Sequence, residues 1–161
     1  MSELGWSAPE KPVDAGAARR GILWQHARLR QLLQRARSVA DARLDGDLSV
    51  PDAVASTIGD VRSAMEVHLK FEESVLVPLF REDLPLGPQR ADRLVDEHSR
   101  QRDMLATLHG EACRHPELPT LAAKLAALAS WLLADMEEEE RALLDPDTLR
   151  DDVVVIDQTT G

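Results

Sequence analysis

The sequence predicts an all-α protein, an antiparallel up-down-up-down four-helix bundle. Three observations carry that expectation. Apolar residues recur every three or four positions along four long stretches, the spacing of one inward helix face. The breaks between those stretches are short and rich in Pro, Gly and Asp, so consecutive helices fold back as neighbours. No alternating pattern of a half-buried strand occurs ahead of the C-terminal tail.

Residues 1–16 hold Gly5, Pro9, Pro12 and Gly16 without periodicity and read as a flexible lead-in whose Trp6 could dock on the body. The first helix is expected over 17–42, with an inward stripe of Ile22, His26, Leu29, Leu33, Ala36 and Ala40. Asp45, Gly46 and Asp47 break it. Ser49 suits the N-cap of the second helix, and Pro51 is tolerated in its first turn. That helix, over 52–79, presents Val54, Ile58, Val61, Met65, His68, Glu72, Val75 and Leu79 inward. Pro78 should kink or end its last turn, with Pro85, Gly87 and Pro88 completing the break. The third helix, 88–114, has the stripe Leu94, His98, Gln101, Leu105, Leu108 and Ala112, and His115 to Pro119 make the next turn. A fourth helix over 119–144 lines up Leu121, Leu125, Leu128, Leu132, Asp135, Glu139 and Ala142. The chain therefore divides into the lead-in, a bundle over 17–145 and a tail over 146–161. Val153 to Ile156 in that tail suit packing on the bundle or pairing with another chain, and both stay open.

Composition narrows the function. At 43% apolar and 30% charged residues the chain is an ordinary globular one. A net charge of -10 and a pI near 4.9 argue against nucleic acid, whose binding requires phosphate neutralisation. Arg19, Arg20, Arg28, Arg30, Arg35, Arg37 and Arg43 fall on outward faces of the first helix, where they can pair with neighbouring acids. No apolar run has the length of a membrane span and the first residues lack signal-peptide order, so no membrane partner and a cytoplasmic location are expected. The single cysteine, Cys113, excludes an internal disulfide framework and a multi-cysteine metal site.

Glu72 is the residue that demands an answer, because a buried carboxylate is costly unless paired or metal-bound. Helix arithmetic brings candidates to it. His98 lies about 18 residues before the turn near residue 116, and the Asp135/Glu139 pair about 21 after it, an offset of only ~5 Å at 1.5 Å per residue. Across the other two turns, His26, the His68/Glu72 pair and His98 are also nearly level. Three imidazoles and three carboxylates (His26, His68, Glu72, His98, Asp135 and Glu139) thus share one slab. Such mixed nitrogen and oxygen ligands suit iron, manganese or zinc, and a pair of cations would remove the charge problem. His109 and His115 fall outside the slab. Of the run Glu137 to Glu140, only Glu139 is read as inward.

The constellation resembles the hemerythrin-like family, the His-His-Glu cation-binding bundles, over about residues 17–145. The resemblance rests on "LWQHARL", "HLKFEESVLVP", "DEHSRQR" and "DMEEEERALLDP" in the four successive helices. It implies that His26 and His68 bind one metal, that Glu72 and Glu139 bridge, and that His98 with Asp135 binds the other, most simply as a di-iron centre. Two positions depart from the family pattern. Asp135 stands where the fourth-helix motif usually has His, and Arg102 where oxygen carriers have a second third-helix His. A more carboxylate-rich site leans toward centres that react with oxygen or peroxide instead of holding oxygen reversibly. Alternatively, Arg102 supplies positive charge and a single metal binds. The expected function is binding or sensing of dioxygen, peroxide or nitric oxide, or iron buffering. An oxidase or peroxide-consuming enzyme, with Trp24, Trp131 or Met65 as redox-sensitive neighbours, is the second reading. A metal-free interaction bundle is the third.

Overall fold

Asp14 opens the first helix: its carboxylate accepts the backbone N–H groups of Gly16 and Ala17 at 3.1 and 3.2 Å, satisfying donors that the first turn would orphan. The computed structural model describes residues 14–47, 53–83, 87–145 and Leu149. Within these, four helices form: α1 (Ala15–Leu44), α2 (Ala53–Asp83), α3 (Gly87–Arg114) and α4 (Thr120–Ala142). α1 ends at Gly46, whose φ of 90° lets the Gly46 and Asp47 N–H groups turn back onto the carbonyls of Arg43 and Ala42.

The helices pack as a four-helix bundle, with α2 against α1 and α3, and α4 against α1. α3 and α4 touch over a much shorter stretch, leaving a seam along that side. The expected inward stripes of α1 and α3 are all buried. On α2, Val75 is only half-buried. Leu76 and Phe80 take the core positions instead, because a stripe at 3.6 residues per turn drifts across a long helix. On α4, Ala142 is exposed, and Met136 is buried.

Pro78 does not end α2, which runs on to Asp83. The proline is exposed, so the missing backbone hydrogen bond falls on the outer side, where a carbonyl can meet water. Trp6, Ser49, Pro51, Pro85 and the run Val153 to Ile156 lie outside the described residues. No helix of the described residues is long and apolar enough to cross a membrane.

The core is in two parts. A large cluster extends from Leu29, Leu33 and Ala36 through Met65, Leu69, Leu105 and Leu108 to Leu125, Leu132 and Met136. A smaller one, Ile22, Leu76, Phe80, Ala91, Leu94, Leu144 and Leu149, closes the other end. On every helix one polar inward residue marks the border between the two: His26 between Ile22 and Leu29, Glu72 between Leu69 and Leu76, His98 between Leu94 and Leu105, Glu139 between Met136 and Leu144.

Candidate metal centre

The polar layer converges on Glu72, which is fully buried. His26 Nε2 lies 3.3 Å from its Oε1, His68 Nε2 3.4 Å from the same oxygen, and His98 Nε2 3.3 Å from Oε2. All three imidazoles are buried. Glu139 enters from α4, its Oε2 3.7 Å from His26 Nε2. One ligand atom each from His26, His68, Glu72 and Glu139 fit within 4.8 Å of one another, close enough to hold a single ion.

The outer nitrogen of each ring fixes what the inner one can do. His26 Nδ1 lies 2.8 Å from Glu140 Oε1, His68 Nδ1 2.9 Å from Gln25 Oε1, and His98 Nδ1 3.0 Å from Glu73 Oε1. With a proton on Nδ1 donated to each of those oxygens, a neutral ring turns the lone pair of Nε2 inward. A ring of lone pairs facing a carboxylate is repulsive in itself. His26 Nε2, both oxygens of Glu72 and Oε1 of Glu139 are buried without a hydrogen-bond partner. Orphaned acceptors at this density are costly, and a cation among them satisfies all of them at once.

The titration behaviour follows from the same crowding. Burial pushes the His68 imidazolium down to about 4, which leaves that ring neutral and free to ligate. Burial also pushes Glu72 up, but without a metal, hydrogen bonds from His26 and His98 and the charge of a protonated ring outweigh it and hold the carboxyl below its usual range. In the absence of a cation a proton on Nε2 must therefore take its place. Glu139 carries the cost: burial first, then the neighbouring charge of Glu72, raises it well above an ordinary carboxylate. Burial and the charge of Glu97 raise Asp135. The three carboxyls therefore divide, Glu72 shifted down and the two α4 acids, Asp135 and Glu139, shifted up.

Asp135 is brought to the layer but not into the tight group. It is half-buried and accepts a 2.7 Å hydrogen bond from Gln101 Nε2, while Gln101 Oε1 has no partner. His98 reaches Glu72 but stands outside the four residues that fit one ion. A void of about 10 Å³ lies among Met65, Glu72, His98, Gln101, Asp135 and Glu139.

Arg102 does not supply its charge to the centre directly. Its guanidinium forks onto Glu73 at 2.7 and 3.1 Å and reaches Glu66 at 3.3 Å. Its effect passes through Glu73 to His98. On the opposite side Arg30 pairs with Glu140 at 2.8 Å and so braces His26. Of the run Glu137 to Glu140, Glu140 thus has an inward role beside Glu139. Gln25, Glu73 and Glu140 went unread because each sits beside, not on, its helix's apolar stripe. The doubled acids at 72–73 and 139–140 were the available signal.

Among the suggested redox neighbours, only Met65 lines the void. Trp24 is 61% exposed with Arg28 stacked 4.8 Å over its ring, and Trp131 is 41% exposed. His109 bonds Arg62 away from the layer, and Cys113 is exposed.

A family model described as the hemerythrin HHE cation-binding domain matches residues 20–145. No curated protein and no solved structure matches the chain.

Proposed function

Because the chain belongs to the hemerythrin HHE cation-binding domain family, we propose that it is a non-haem metal protein holding a pair of transition-metal ions and binding dioxygen, peroxide or nitric oxide there. Iron is the first choice, and manganese or zinc also suits the mixed donors. His26 and His68 serve one ion, His98 and Asp135 the other, and Glu72 and Glu139 bridge. The observation that supports this reading is the convergence of three imidazole Nε2 atoms on one buried carboxylate whose two oxygens have no partner.

Bound iron or manganese supplies Lewis acidity and redox capacity. The residues of this chain supply the rest. Glu140, Gln25 and Glu73 fix ring orientation and tautomer, and the apolar clusters above and below exclude bulk water. The direct test is metal content and the absorption spectrum of protein expressed with iron supplied, for which about two ions per chain are expected. Reproducible absence of iron, manganese and zinc would overturn the reading.

A one-ion variant has its own support, since among the described residues His26, His68, Glu72 and Glu139 are the group that fits within a single ion's reach. It predicts a ratio near one that His98→Ala leaves unchanged and His68→Ala abolishes. Sustained consumption of peroxide or oxygen with a reductant would make the centre an enzyme and not a carrier or sensor.

A further inference from the structure

The seam between α3 and α4 is the one side of the bundle where neighbouring helices draw apart, and its two halves differ in chemistry. The half beside Met104, Leu108, Leu128 and Trp131 is a mainly apolar groove of about 580 Å³, in which Lys124 neutralises Glu111 at 2.6 Å and Asp103 is the other acid on the wall. The other half, of about 340 Å³, runs past Arg93, Glu97 and Glu138 and reaches His98, Gln101, Asp135 and Glu139. Gln101, Asp135, His98 and Glu139 also line the void inside the centre, so the acidic half of the seam and the metal layer share a wall.

Gln101 makes this more than a group of acids. It is 4% exposed and lines both the groove and the void, and while its Nε2 is committed to Asp135, its Oε1 is buried without a partner. An amide oxygen left this way is a hard donor suited to a cation or its water shell. Glu97, half-buried, lines the same groove as Asp135 and Glu139 and adds a carboxylate to its wall.

We propose that the acidic half of the α3–α4 seam is the entry site for the metal itself. A hydrated divalent cation is attracted at Glu97 and passes Gln101 Oε1 and Asp135 into the layer formed by Glu139, Glu72 and the three histidines. This inference rests on the metal reading above and adds the route and the residues that serve it. Among the described residues the other sides of the layer are packed: α1 lies along both α2 and α4, α2 lies along α3, and the two apolar clusters lie above and below. Entry through the seam also gives Gln101, which the proposed ligand set does not use, a capturing role beside Asp135, the proposed ligand to which its Nε2 is bonded.

The test uses the apo full-length protein and cobalt(II) as the probe, following its visible absorption. Two variants separate entry from ligation. Glu97→Gln should slow uptake about two- to fivefold at low ionic strength, with the difference vanishing at high salt where the steering charge is screened. Ala142→Trp, at an exposed position on the groove wall, should slow uptake and chelator-driven release alike, by about tenfold, since a plug leaves equilibrium affinity untouched. The final amount of cobalt bound should match wild type in both. Val67→Trp, on the outer face of α2 and 67% exposed, is the control and should leave both rates unchanged. Wild-type rates in both groove variants of a protein that does load cobalt would overturn the entry route alone. Failure of the wild-type protein to load any metal would overturn the underlying metal reading and the route with it.

Discussion

Glu139 concentrates the energetic conflict of the apo protein in one side chain. Burial and the charge of Glu72 raise its folded-state value well above the ordinary 4.5, so the folded protein holds a proton that the unfolded chain releases. Apo stability on its account falls as pH rises from about 4.5 toward that raised value. His68 acts in the opposite sense. Its value of about 4, against 6.5 unfolded, adds stability as pH rises between those two. Comparing wild type with Glu139→Gln cancels the His68 contribution, so the variant's advantage in melting temperature, measured in chelator, should grow as pH climbs above about 4.5. A constant or shrinking difference would show that Glu139 is not held protonated. The same substitution should weaken metal binding, because an amide is a poorer ligand than a carboxylate. A second residue-scale expectation concerns Glu73, which links His98 to the Arg102 fork. Glu73→Gln should lower metal affinity about tenfold, as loss of a partner behind a ligating histidine does. Competition against a chelator of known affinity measures it. Retained affinity would mean that the ring of His98 needs no such brace.

At the scale of the helices, the start of α3 at Gly87 lies in very close approach to the backbone of α2. A Cβ at Gly87 would lie 1.5 Å from the Phe80 carbonyl oxygen, which is backbone and cannot rotate away. Phe80 itself is fully buried and anchors the smaller core cluster beside the polar layer. Gly87→Ala should therefore force α3 away from α2 at some 1–3 kcal/mol, a loss of several degrees in melting temperature for a chain of this length. A thermal melt of the variant checks this, and an unchanged midpoint would show that the helix start shifts without resistance. Pro78 teaches the complementary lesson. A proline ends a helix when the lost hydrogen bond is buried, whereas here it faces outward and α2 continues.

For the molecule as a whole, the polar layer divides one hydrophobic core into two. Three carboxyls and three imidazoles at mid-bundle cost stability without metal, and an ion that binds only the folded state returns it by mass action. At free metal about a hundredfold above its dissociation constant the gain is about 2.7 kcal/mol, which corresponds to roughly 5–10 °C for a domain of this size. Adding chelator to metal-loaded protein at neutral pH should lower the melting midpoint by that amount. An unmoved midpoint in a protein shown to contain metal would place the ions elsewhere than in this layer.

The bundle and its buried polar layer were legible because they depend on local periodicity. An inward stripe repeats every three or four residues whatever the helix packs against, so His26, His68, Glu72 and His98 declared themselves as polar residues on apolar faces. Their shared level followed from rise per residue and loop position alone. What sequence could not fix was rotation and spacing between helices, which set the residues just off each stripe. Those rotations pair Gln25, Glu73 and Glu140 with the imidazole Nδ1 atoms and turn Arg102 to Glu73 instead of the centre. They also part α3 from α4 on the acidic side. Inward or outward is a property of one helix; who stands behind a ligand is a property of two. Only the tertiary structure could decide the second.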